Sequence, residues 1–193
     1  MSERRVNVGQ DASVRNSSSE ESRAIRTIKI QTEELGFQTN EAIKMLRANI
    51  QFSGYGMKAI AMTSCHANEG KSFVSFELAK SLAELGERTL YLDCDIRNSL
   101  AQARLGVTEK LPGLSDFLVG KAQIGDILCK TDVPHLHMIF AGSLSPNPAE
   151  LLSEDLFERL CDALKKNYDY IIMDTAPLGL VIDAAIIAKQ CDG

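Results

Sequence analysis

Three groups of residues in this chain have the types and spacing to do chemistry together. The first is the run Ser64-Cys65-His66-Ala67-Asn68-Glu69-Gly70-Lys71-Ser72 with Phe73 behind it. A lysine ammonium neutralises anionic oxygens, and a serine hydroxyl ligates a hard divalent cation. Loop amides ahead of a helix add N–H donors and the positive helix end, so the run reads as a phosphate-binding loop. The second group is Asp93 and Asp95, which a two-residue spacing sends to the same side of a strand tip. Two carboxylates so close repel each other unless a cation or a proton-transfer role offsets the repulsion. The third is Asp174, which ends the apolar run Tyr170-Ile171-Ile172-Met173. Open α/β sheets bind their ligands at such strand tips.

The loop departs from G-x-x-x-x-G-K-[ST], because Cys65 stands where the first glycine belongs. Asn68 suits a loop of this kind, since asparagine tolerates left-handed backbone better than most residues.

The elements that must hold these groups follow from the apolar pattern. Lys58-Ala59-Ile60-Ala61-Met62 predicts a buried strand feeding the loop, and Phe73 to Leu85 a helix closed by Gly86. Thr89-Leu90-Tyr91-Leu92 predicts a second strand, ending in Asp93-Cys94-Asp95-Ile96-Arg97. A short helix follows from Gly113 to Leu118 with Ser115 as its cap, then a strand from Leu136 to Phe140. In that strand His135 and His137 share a face, which reads as satisfied or exposed histidines for want of a third metal ligand nearby. Ala141 to Pro148 is turn-rich. A helix from Glu154 to Lys165 turns Leu156, Phe157, Leu160 and Leu164 inward. Nearer the start, Ile28 and Ile30 suggest an edge strand, and Thr39 or Asn40 caps a helix from Glu41 to Phe52. Ala42, Met45, Leu46, Asn49 and Ile50 lie on or near one of its faces, and Glu41, Lys44 and Arg47 at spacings of three on the other. Residues 1–27 read as a flexible polar tail and 28–193 as one nucleotide-binding domain. Strands alternating with helices predict an α/β fold: a doubly wound, mostly parallel sheet with helices on both faces.

Composition narrows the function classes. The 193 residues carry a net charge of −5, which argues against a nucleic-acid-coating surface. No apolar run approaches the roughly 20 residues that cross a bilayer, and no signal peptide opens the chain. Five scattered cysteines without a C-x-x-C pair read as reduced thiols, so the expected compartment is the cytoplasm.

The chain resembles bacterial tyrosine kinases of the capsule and exopolysaccharide type, P-loop proteins related to septum-site and partition ATPases. Ser64 to Ser72 is similar to their Walker A loop, in which Asn before Glu-Gly-Lys is a familiar variant. Leu90 to Arg97 is similar to their second Walker box, and Ile171 to Pro177 to their Walker B, with a downstream Asp183. Asn147-Pro148-Ala149-Glu150-Leu151-Leu152 is similar to their Asn-Pro-x-Glu-Leu-Leu loop. Glu41, Lys44 and Arg47 match their Glu-x-x-Arg-x-x-Arg interface motif, with Lys for the first Arg.

The resemblance implies ATP and Mg²⁺ as cofactors and transfer of the γ-phosphate to tyrosine. Lys71 would bridge the outer phosphates and Ser72 ligate Mg²⁺, with Asp95 and Asp174 supporting it through water. Asp93 would be the base, its role exchangeable with that of Asp95. It implies a homo-oligomer through Glu41, Lys44 and Arg47, and tyrosine-rich protein tails as acceptors. A membrane-anchored polysaccharide co-polymerase would be the activator, holding the kinase at the inner face of the plasma membrane. The chain differs from the family in lacking a terminal tyrosine cluster and in ending at Gly193, where relatives enter another strand. The expectation is a kinase domain incomplete at its C-terminus. Two other readings stay open: a partition-type ATPase switch, against which His66 stands in place of a second loop lysine, and a nucleotide-binding interaction module.

Overall fold

The computed structural model describes residues 25–54 and 56–193; the tail assigned to residues 1–27 lies almost wholly outside them. Six strands form one sheet: β1 Arg26–Ile28, β2 Ala59–Met62, β3 Thr89–Asp93, β4 Leu128–Thr131, β5 Leu136–Ile139 and β6 Tyr170–Asp174. The helices are α1 Phe37–Phe52, α2 Lys71–Ala83, α3 Ala101–Arg104, α4 Leu114–Leu118, α5 Ile124–Ile127, α6 Pro148–Ser153, α7 Asp155–Asn167 and α8 Asp183–Ala188. The strand order is β1-β4-β5-β3-β6-β2. Strands β2, β6, β3 and β5 run parallel, while β4 is antiparallel to β5 and β1 parallel to β4. This is the mostly parallel sheet that alternating strands and helices imply.

Both faces are covered, so β3 is buried throughout and β6 from Ile171 to Asp174. On one face Leu90, Leu92, Ile171 and Met173 pack with α7 residues Phe157, Leu160 and Leu164. On the other, Tyr91 and Ile172 pack with Phe76, Leu78, Ala79 and Leu82 of α2. Strand alternation therefore decides which face each tip aspartate shares. Asp93 follows Tyr91 by two residues and Asp174 follows Ile172 by two, so both side chains belong to the α2 face.

Several sequence expectations shift. β1 begins at Arg26, inside the stretch assigned to the tail, and is an edge strand as expected. α1 begins at Phe37 behind Gly36, so Thr39 and Asn40 lie in its first turn rather than capping it. Its inward residues are Ile43, Leu46, Arg47 and Ile50, whereas Met45 is 66% exposed. α2 begins two residues earlier than expected, at Lys71 itself. Ser115 lies inside α4; Gly113 takes the cap position, and the Asp116 carboxylate accepts its N–H at 3.0 Å. His137 meets the Tyr168 hydroxyl at 2.7 Å, while His135 sits in a turn with φ 64°. Strand β4 and helices α3, α5 and α8 have no counterpart in the sequence expectations. Along the outer edge of β2, Asp192 N–H donates to Ala59 O at 2.7 Å and Ala61 N–H to Gly193 O at 2.9 Å.

Candidate active site

The phosphate-loop geometry begins with the turn between β2 and α2. Asn68 and Gly70 both take left-handed backbone, at φ 63° and 89°. Gly70 then caps α2, a helix of 13 residues whose free N-terminal amides face the loop. Cys65 is absent from the left-handed positions, so backbone conformation does not demand glycine there. The Glu69 carboxylate accepts the His66 N–H at 3.0 Å and the Ser64 hydroxyl donates to His66 O at 2.8 Å, fixing the turn from within. A third constraint comes from the loop after β6. Leu178 N–H donates to Ser64 O at 2.9 Å, and a Cβ on Gly179 would collide with the Cys65 carbonyl.

Sheet register brings the acids to this loop. Asp93 and Asp174 are directly paired at the ends of β3 and β6. Lys71 reaches across from α2 and forms an ion pair with Asp174, its side chain 8% exposed against 2% for the aspartate. Asp174 is held further by the Tyr91 hydroxyl at 2.9 Å and the Ser75 hydroxyl at 3.3 Å. Asp93 accepts from the Ser99 hydroxyl and, at 3.2 Å, from Asp95 N–H. Burial, with the Asp174 and Asp95 charges beside it, pushes the Asp93 carboxyl up to about 7, although the Ser99 hydrogen bond pulls the other way. Burial and the adjoining Asp174 likewise hold the Tyr91 phenol well above its usual range.

A cleft of about 210 Å³ opens above these groups. Ser64, Ala67, Asn68, Gly70, Lys71 and Ser72 line one side, and Asp95, Ser99 and Asp174 face them. Of the residues the sequence singled out, Cys65, His66, Glu69 and Phe73 do not line the cleft, and nor does Asp93, which lies behind Ser99. Arg97, also on the cleft wall, clasps the buried Asp183 carboxylate at 2.6 and 3.1 Å and so ties the loop after β3 to α8. Tyr91, Ser75 and Ser99 escaped sequence reasoning. Tyr91 was in principle legible as the residue two before Asp93 on the same strand face.

Two other motifs have structural places away from the cleft. Asn147 precedes α6 and bonds Glu150 at 2.7 Å, while Leu151 and Leu152 are buried. In α1, Glu41 and Lys44 pair on the surface at 2.8 Å. Arg47 instead turns inward and donates to Ser81 of α2 at 2.8 and 3.0 Å, so the three do not share one solvated face.

A family model described as an AAA domain matches residues 57–191. The tyrosine-protein kinase CpsD of Streptococcus agalactiae is 47% identical over 156 residues, covering 81% of this chain and 68% of that protein. The chain belongs to the bacterial tyrosine kinases. Among solved structures, the kinase domain of the Escherichia coli tyrosine kinase ETK superposes on this kinase with a TM-score of 0.75. It is 26% identical, with 87% of this chain and 74% of that one covered. The septum-site protein MinD of Pyrococcus horikoshii, at 23% identity and a TM-score of 0.59 over 70% of this chain and 55% of that one, shares the fold.

The residues present suit a magnesium nucleotide. The left-handed turn and open α2 terminus offer amides to phosphate, and Lys71 supplies a cation at the same point. Ser72, Asp95 and Asp174 are hard oxygen donors on one cleft. Among the described residues no cluster of three His, Cys, Asp or Glu side chains forms a metal cage. Magnesium is ordinarily held by one or two carboxylates together with phosphate oxygens and water, and the cleft supplies the protein's share of that set.

Proposed function

We propose that this kinase is an ATP-dependent protein-tyrosine kinase regulating capsular or exopolysaccharide synthesis. The observation that carries the reading is the meeting of Lys71 with Asp174 at the mouth of a left-handed phosphate loop, with Asp95 facing them across the cleft. Bound Mg²⁺·ATP supplies the transferable phosphoryl group and a divalent charge to neutralise it. The chain's own residues do the rest. Loop amides and the α2 terminus position the phosphates, and Lys71 leaves Asp174 to neutralise the outer oxygens. Ser72 would hold the metal, with Asp95 and Asp174 supporting it from the same cleft. Asp93 is the base in this reading and would take the proton of the acceptor phenol. A second assignment is favoured by exposure: Asp95 lines the cleft and Asp93 does not, which makes Asp95 the base and Asp93 the residue that orders the 95–99 loop.

No tyrosine among the described residues is exposed: Tyr91 and Tyr168 are buried and Tyr170 is half-buried. The acceptor therefore comes from another segment or another chain, such as a tyrosine-rich tail. We place the oligomer contact on the exposed part of α1 around Glu41 and Lys44. The activator is a membrane-anchored co-polymerase; no helix among the described residues is long and apolar enough to cross a membrane. The test is incubation with ATP, Mg²⁺ and a tyrosine-rich peptide. Phosphotyrosine on the peptide supports the reading. ATP consumption without phosphotyrosine would instead point to a partition-type ATPase.

A further inference from the structure

Next to the cleft lies a second hollow that the phosphoryl chemistry does not use. It encloses about 460 Å³, and its walls are Phe73 and Phe76 of α2, Tyr91 of β3, and Ala101, Arg104 and Leu105 on and after α3. Ser72 and Arg104 belong to both hollows, so the two adjoin across one ridge. The hollow's outer rim is Gln31, Thr32 and Glu33, all exposed. That rim is fixed rather than draped, because Gln31 N–H donates to Leu105 O at 2.9 Å and Ile30 N–H to Asp132 at 3.1 Å.

The chemistry of this hollow is uneven. Its floor is apolar and aromatic, with Phe73 still 38% exposed at the residue directly after Ser72. The buried Glu77 in its wall already has Lys80 at 3.6 Å. Arg104, on the ridge toward the cleft, has no ion-pair partner among the described residues, while Glu33 stands on the far rim. A ligand bridging both hollows therefore meets first a guanidinium without an ion-pair partner among the described residues, and next an apolar pocket.

We propose that the second hollow is the docking subsite for the tyrosine-bearing acceptor segment. An acidic residue beside the acceptor tyrosine pairs with Arg104, and a bulky apolar side chain a few residues further along fills the pocket over Phe73 and Phe76. This assignment rests on the kinase reading of the adjoining cleft. Adjacency argues for that occupant: a phenol delivered toward Ser72 and Asp95 carries its neighbouring residues across the Arg104 ridge. Burying one large apolar side chain is worth about 1.5–3 kcal/mol, or roughly tenfold or more in affinity. The subsite therefore selects among acceptors without touching the reacting atoms.

The test uses the 193-residue chain and two short fluorescent peptides, each with one tyrosine. One carries aspartate before the tyrosine and phenylalanine shortly after it; the other carries serine and alanine there. Binding is followed by anisotropy, and phosphotyrosine separately in the presence of ATP and Mg²⁺. The first peptide is expected to bind at least about tenfold tighter. Thr32→Trp, at an exposed rim position, should erase the phenylalanine's share and leave nucleotide affinity as it was. Arg104→Glu should erase the aspartate's share. Equal affinities for the two peptides, or a preference that survives both substitutions, would overturn the proposal. A preference lost in the variants, but with no phosphotyrosine formed, keeps the docking subsite and removes the kinase reading. Phosphotyrosine on both peptides together with equal affinities does the reverse.

Discussion

Two lysine–carboxylate pairs in this molecule have nearly the same chemistry and opposite consequences. Lys71 and Asp174 meet at the cleft with side chains 8% and 2% exposed. Lys44 and Glu41 meet on α1 with both side chains 46% exposed. The surface pair is screened by water and exchanges solvent contacts for one another at little gain. The cleft pair has lost its water, so each charge depends on the other and on the Tyr91 and Ser75 hydroxyls. A buried cation held by a buried anion is also a cation that a phosphate can claim, because the exchange replaces one anionic partner by another. The difference lies in burial, which the spacing of residues does not reveal.

The sharpest way to break the comparison is Lys71→Met. Nucleotide binding should be lost, and the vacated Asp174 carboxylate should lower stability by about 3–5 kcal/mol, the usual result of orphaning a buried charge. A lysine on an exposed helix terminus would cost almost nothing, so denaturant unfolding of the variant separates the two cases. Next comes Asp93→Asn, for which phosphotransfer should fall by roughly 10²- to 10⁴-fold with nucleotide affinity nearly unchanged. Asp174→Asn should instead weaken Mg²⁺-dependent binding itself. If Asp93→Asn spares turnover and Asp95→Asn abolishes it, the base is Asp95.

Protonation sharpens the same contrast in metal-free protein. The Asp93 carboxyl goes from an ordinary 3.8 to about 7 on folding, so folding favours its protonated form. The stability it allows is complete below pH 4 and is lost as pH rises from about 4 to about 7, by at most ~4 kcal/mol. Thermal melts across that range should show a smaller decline in Asp93→Asn.

Smaller effects are expected on α1. Arg47→Ala should destabilise the monomer by about 1–3 kcal/mol, since its hydrogen bonds to Ser81 are part-buried and its stem packs there. Replacing Glu41 and Lys44 by Ala should change monomer stability by no more than about 0.5 kcal/mol. If the oligomer contact lies there, light scattering should show a shifted mass distribution in that double variant while its unfolding curve is unchanged.

The sequence by itself determined the nucleotide end of this protein. Apolar runs that stop at Asp93 and Asp174, and a Gly-Lys-Ser opening a helix, are local patterns whose meaning depends on neighbours within a few residues. Apolar runs and a 3.6-residue periodicity therefore sufficed for β2, β3, β5, β6, α2 and α7, and their alternation for a mostly parallel sheet. Where no local pattern existed, only the tertiary structure could decide. Leu128-Cys129-Lys130-Thr131 has no sustained alternation and becomes β4 by pairing with β5 and with β1, whose partners are 103 residues away in sequence (129 − 26). Arg47 points inward because Ser81 of a neighbouring helix offers it two acceptors. Asp93 and Asp95 looked equivalent until packing buried one behind Ser99 and left the other on the cleft wall. Burial and long-range hydrogen bonding arise between segments far apart in sequence, and a residue's own neighbours along the chain carry no record of them.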